Sequence, residues 1–120
     1  MTNSRAKGAR GEREAATVLR ERLGVVAERS QQHSGKGGGP ADLILYDGLG
    51  LPSSLSVEVK RVESLTVTQL VDFVRRARSE ARSKPSVVMH RRNDESWLIT
   101  LDSLDIVPVA REIVRLAGGA

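Results

Sequence analysis

The 120-residue sequence contains no cysteine. Disulfides and thiolate metal sites are therefore excluded from its chemistry. Aromatic residues are almost as scarce: Tyr46, Phe73 and Trp97 are the whole set. The core has to be assembled from Val, Leu, Ile and Ala. No apolar run is long enough to cross a bilayer, and the N-terminus lacks the apolar segment of a secretory signal. The expected location is the cytoplasm. The length fits a single domain, residues 1–120, with a modest core that could gain stability from dimerisation.

Nineteen Lys and Arg stand against fifteen Asp and Glu, a formal charge of +4. Arg supplies most of the positive side. Its planar fork suits phosphate, so a polyanionic partner is one reading and an Arg-favouring codon usage is the other. Net charge does not separate them.

The pattern along the chain gives the elements. Residues 1–8 are polar and basic and read as a flexible N-terminus. A helix is expected over Ala9–Leu23, with Ala16, Leu19 and Leu23 as its apolar stripe. Glu12 falls at the centre of that stripe, and Glu14 points almost the opposite way. Glu12 is thus either an inward-facing site acid or a first-turn acid favoured by the helix dipole. Gly24 ends the helix, and Val25–Glu28 reads as a short strand. The stretch from Arg29 to Pro40 is polar and glycine-dense, a loop over residues 30–40. His33, Ser34 and Lys36 within it suit a phosphate backbone, and the same composition suits a plain linker.

Ala41–Tyr46 and Leu55–Arg61 read as antiparallel strands joined through an Asp47-Gly48 turn. A second helix spans Thr66–Arg82, with Val67, Leu70, Val71, Val74, Ala77 and Ala81 inward and Gln69 and Phe73 on one flank. Strands Ser86–Met89 and Ser96–Leu101 enclose a charged turn, and Val109–Leu116 is a short helix. The order predicts an α/β fold: a central mixed five-stranded sheet flanked by helices.

Ser56-Val57-Glu58-Val59-Lys60 alternates with the period of a strand, which sets Glu58 and Lys60 on one face. A bare Glu-x-Lys is common on exposed strands and carries nothing alone. The full set is more telling, because antiparallel pairing brings Asp42 toward Glu58 and Lys60. Carboxylates are hard ligands suited to Mg²⁺ or Mn²⁺. Asp42 and Glu58 with the carbonyl of Val59 make a candidate metal shell, Glu12 is the third acid that could complete it or position a water, and Lys60 is a cation for a developing negative charge.

Pro40-Ala41-Asp42 with Glu58-Val59-Lys60 resembles the PD-(D/E)xK nuclease signature. Gly8-Ala9-Arg10-Gly11-Glu12-Arg13-Glu14 is similar to the opening of archaeal Holliday junction resolvases. His90-Arg91-Arg92-Asn93 and Trp97-Leu98 resemble small phage resolvase-like endonucleases. The resemblance implies a restriction-endonuclease-like core and a Mg²⁺-dependent (or Mn²⁺-dependent) endonuclease. Its substrate would be branched DNA, chiefly four-way junctions in recombination and repair, and its assembly a homodimer. It implies Glu12, Asp42, Glu58 and Lys60 as active-site residues, and Arg13, Arg29 and Arg61 as DNA contacts. Gln69 would be a supporting polar residue and Phe73 a dimer contact. The host would be a bacterial, archaeal or phage-infected cell. Two alternatives stay open: a nuclease for nicked, flapped or duplex DNA, and a non-catalytic DNA-binding module of the same fold.

Overall fold

The computed structural model describes residues 4–30 and 41–118. Pro40, the 30–40 loop beyond Ser30, and the candidate DNA contacts His33, Ser34 and Lys36 lie outside the described residues. The elements are α1 (Ser4–Leu23), β1 (Val26–Arg29), β2 (Leu43–Tyr46), β3 (Ser56–Arg61), α2 (Val67–Ala81), β4 (Ser86–Arg91), β5 (Leu98–Thr100), a 3₁₀ turn (Ser103–Asp105) and α3 (Ile106–Leu116). The five strands form one sheet in the order β1-β2-β3-β4-β5. β1, β2 and β3 pair antiparallel, β3 and β4 parallel, and β4 and β5 antiparallel. A parallel pair needs a long crossover, and α2 supplies it.

Strand alternation sends the two sets of side chains to different layers. Ala27, Leu43, Leu45, Val57, Val59, Val87 and Met89 join Ala15, Ala16 and Leu19 of α1 and Val109 and Leu116 of α3 in the main core. On the opposite face Val88 meets Val74 and Ala77 of α2, with Leu70 beside them. Gly11 lets α1 come close to β3: a Cβ there would lie 3.2 Å from the Cβ of Arg61.

Local chemistry sets the element ends. Gly24 takes φ +70° and its N–H donates to the Arg20 carbonyl at 2.9 Å, closing α1. Thr66 and Gln69 form a reciprocal capping box at the start of α2. Asp102 Oδ1 accepts from the Leu104 N–H at 2.9 Å and starts the 3₁₀ turn. Arg115 of α3 pairs with Asp47 at 2.9 Å, and Glu112 accepts from Ser53 Oγ at 2.7 Å, so α3 is tied to the β2–β3 turn.

Several boundaries and one helix face differ from the sequence pattern; β1 is shifted by one residue and β2 begins at Leu43, not Ala41. α1 begins at Ser4, where a flexible end was expected, because extending a formed helix through good formers such as Ala6 and Lys7 costs little. β4 runs on through His90 and Arg91, which the pattern assigns to a turn. α3 begins three residues early, at Ile106; Pro108 is tolerated in the first turn because its missing N–H has no helical acceptor there. β5 is shorter than expected, three residues. In α2, Val67 is 79% exposed and Val71 38% exposed, whereas Phe73 is half-buried. The helix is rolled so that Phe73, Val74 and Ala77 face the sheet.

Candidate active site

Leu43 pairs with Val57 across the antiparallel β2–β3 register, and both point into the main core. The next positions, Asp42 and Glu58, therefore face the other way, toward the α2 layer. Asp42 is fixed there by its own carboxylate: Oδ2 accepts the Val59 N–H at 2.8 Å, and the Asp42 carbonyl accepts the Ser30 N–H at 3.0 Å. Ser30 Oγ also donates to the Ala41 carbonyl. A side-chain oxygen thus occupies a place in the sheet that a backbone carbonyl would otherwise take.

Glu58 and Asp42 share a hydrogen bond. Burial pushes the Glu58 carboxyl up to about 8; the negative charges of Asp42 and Glu80 and the bond to Asp42 add to the rise, and Lys60 opposes it. At neutral pH the pair therefore holds a proton between two carboxylates. Two hard oxygen donors side by side, one kept protonated chiefly by its burial, suit a divalent cation that retains several waters. Among the described residues no group of three or more His, Cys, Asp or Glu could hold a metal. The oxygen donors that would suit such an ion are Asp42 and Glu58.

Lys60 shares the face of Glu58. Its Nζ stands 4.9 Å from the centroid of the Phe73 ring. Glu58, Lys60, Phe73, Arg76, Ala77, Glu80 and Val88 enclose a small cavity of about 140 Å³. A neighbouring groove of about 440 Å³ also reaches Glu58 and Glu80, over Ile44 and Ser56. A larger hollow of about 650 Å³ lies at the far ends of β1 and β2, around Val25 and Tyr46, away from the carboxylate pair.

The remaining candidates separate. Glu12 is 18% exposed and forms an ion pair with Arg29 at 2.8 Å. It lies on α1, which packs on the other face of the sheet from Asp42 and Glu58. The expected three-carboxylate shell is thus a pair in this structure, with Glu12 turned to Arg29. Glu14 does not point to solvent. It lies between Arg61, at 3.4 Å, and Arg91, at 3.6 Å, which are neighbours in the β3–β4 register. Seven residues of helix explain this: Glu14 flanks Gly11 and Val18, so the close approach at Gly11 carries it to the strand ends. Arg13 is exposed; Arg61 is 16% exposed and also donates to Asn93 Oδ1 at 3.1 Å. Gln69, expected as a supporting polar residue, is exposed, and its amide oxygen accepts the Thr66 N–H at 2.9 Å in the helix cap. Phe73, expected as a dimer contact, covers Lys60.

Glu80 is the residue the sequence pattern passes over. It acts on Glu58 and lines both cavities at the site. The signal was present: Glu80 follows Phe73 by seven and Ala77 by three, so it shares their helix face. His90, the register partner of Lys60, is buried and bonded through Nε2 to Thr100 Oγ1 at 2.8 Å, and burial lowers its pKa.

No family model matches the sequence, and no curated protein matches it by sequence. Among solved structures, Hjc of Archaeoglobus fulgidus, a Holliday junction resolvase from an archaeal hyperthermophile, is similar with a TM-score of 0.52. The identity is 20%, over 78% of this chain and 76% of that chain. The likeness is one of fold: a mixed five-stranded sheet flanked by helices, the α/β architecture expected from the sequence. Among the described residues no helix is long and apolar enough to cross a membrane.

Proposed function

We propose that the chain is a metal-dependent DNA endonuclease of the resolvase kind, acting on branched DNA and chiefly on four-way junctions. The observation that carries this reading is the hydrogen-bonded Asp42–Glu58 pair with Lys60 on the same face, set in a resolvase-like fold. Asp42 and Glu58 would hold Mg²⁺ or Mn²⁺, with Val59 offering its carbonyl. When bound, the ion polarises the phosphodiester and lowers the pKa of a coordinated water.

The chain's own groups do the rest. The Val59 N–H holds Asp42 in place. Glu58, held protonated near neutral pH, would release its proton to solvent on serving as a ligand. Lys60 presents an ammonium toward negative charge developing on the phosphate oxygens. Glu12 and Arg29 form a unit at the β1 end of the sheet, where Arg29, 41% exposed, can also meet a DNA phosphate. A homodimer would supply two such centres for paired nicks.

Incubation with four-way, flapped, nicked and linear duplex DNA, in Mg²⁺ or in EDTA, tests the reading. Metal-dependent cutting with a preference for the four-way substrate is expected. Equal cutting of linear and four-way DNA removes the junction assignment and leaves a nuclease. Salt-sensitive binding with no cutting of any substrate leaves a non-catalytic DNA-binding module.

A further inference from the structure

We infer that Phe73 is a positioning residue for Lys60, rather than a contact between subunits; this rests on the nuclease reading above. Lysine is a flexible four-carbon stem with a point charge at its end. An ammonium that must meet one phosphate oxygen needs that freedom removed before substrate arrives. The Phe73 ring does this. Lys60 Nζ lies 4.9 Å from the ring centroid, within the range of a cation–π contact. The ring is half-buried and α2 is rolled to bring it inward, while Val67 and Val71, nominally on the apolar stripe, are left outside. Ala77, one turn on, is small and buried, so the ring has room beside Val88.

The surroundings explain why a neutral ring serves here. Glu58 and Glu80 line the same cavity as Lys60, and Arg76 lines it from α2. A carboxylate used to hold Lys60 would neutralise it and compete with the metal ligands. The π face attracts the ammonium yet leaves its full charge and its N–H donors for a phosphate. The contact lies one residue from Arg61 and two from Glu58 along β3, so holding Lys60 fixes its height above the carboxylate pair.

The test compares Phe73→Leu and Phe73→Met, which keep an apolar side chain without a ring, with Phe73→Tyr, which keeps the π face. Turnover should fall about 3- to 30-fold in the two ring-free variants, in line with the strength of such contacts, and return to within about 2-fold in the tyrosine variant. The KM for four-way DNA should move little. An independent reading comes from NMR without DNA or metal. The Lys60 ε-methylene protons should be shifted upfield by the ring in the wild type and the tyrosine variant, and lie at ordinary positions in the ring-free variants. Light scattering should give the same assembly state for all four proteins, and circular dichroism the same fold. An unshifted Lys60 signal in the wild type overturns the inference even if the protein cuts DNA. Loss of turnover that follows loss of a dimer, in the tyrosine variant as well, also overturns it. A shifted signal in a wild type that cuts nothing retains the Phe73–Lys60 contact and removes the nuclease reading.

Discussion

The two faces of β3 differ in what they are for. Val57 and Val59 turn toward α1 and enter a continuous apolar core that takes residues from every layer on that side. Glu58 and Lys60, alternating with them on the same strand, turn toward α2, where among the described residues a small group of Val74, Ala77 and Val88 is buried. One face is built for stability, and the other gives up apolar contact to hold charge. The pleat lets a single strand serve both, since adjacent residues never share a face.

Substitutions on the two faces should therefore fail in different ways. Glu58→Ala, which would remove a metal ligand, and Lys60→Ala, which would remove a cation facing developing charge, should each reduce cutting by roughly 10³-fold. Neither change should lower the melting point appreciably. Leu45→Ala does the reverse. Leu45 is fully buried in the main core, so the change should destabilise the fold by about 2–5 kcal/mol. Cutting per folded molecule should persist below the lowered melting point. If Leu45→Ala abolished activity in fully folded protein, or Glu58→Ala unfolded it, the separation of the two faces would be wrong.

How much of this could be read from the chain follows the same division. The alternation of Ser56 to Lys60 places Glu58 and Lys60 together without any structure, because strand period is a local property. Asp42 follows from an antiparallel pairing with an Asp-Gly turn, also a short-range signal. What was not legible depends on how layers meet. The roll of α2 hides in a helix whose apolar arc is broad, from Phe73 on one edge to Val71 on the other: Val67 and Val71 look as inward as Val74. Ala77 packs in the buried group beneath α2 and Phe73 meets Lys60, contacts between layers that the helical period does not encode. Glu14 was misplaced for a similar reason. Its angle on α1 is nearly opposite the Ala16–Leu19–Leu23 stripe, and the absence of a side chain at Gly11 brings that side of the helix against β3.

Glu14 and Glu12 sharpen the comparison further, on the α1 face. Glu14 sits between two arginines whose side chains are 16% and 21% exposed. Its Oε1 and the Arg61 Nε are buried, and neither has a hydrogen-bond partner among the described residues, so the pairing there is one of charge. Glu14→Ala leaves two half-buried guanidinium groups side by side and should destabilise by about 1–3 kcal/mol. Glu12→Ala releases Arg29, which is 41% exposed and can be solvated, and should cost under about 1 kcal/mol. Denaturant titration of the two variants checks the order. A larger loss for Glu12→Ala would show that Glu12 holds more than Arg29.

The smallest effect concerns the proton between Asp42 and Glu58. Glu58 titrates near 8 in the folded chain and near 4.5 when unfolded. Between those values the native state binds the extra proton. Stability is therefore lost as pH rises from about 4.5 to about 8, and the loss is complete above 8. Glutamine has no proton to lose and can still donate to Asp42. Glu58→Gln should match the wild type at pH 4 and melt higher at pH 9, by a few degrees at this size and exposure. Mg²⁺ should then separate the two proteins in the opposite direction. A cation that binds only the folded state raises the wild-type melting point and favours the ionised pair. The glutamine variant, with one carboxylate in place of two, should respond far less. A Glu58→Gln advantage that is equal at pH 4 and pH 9 would mean that the pair holds no proton and that packing alone distinguishes the side chains. An advantage that grows with pH and disappears on adding Mg²⁺ to the wild type would make the strain between the two carboxylates the property that the metal relieves.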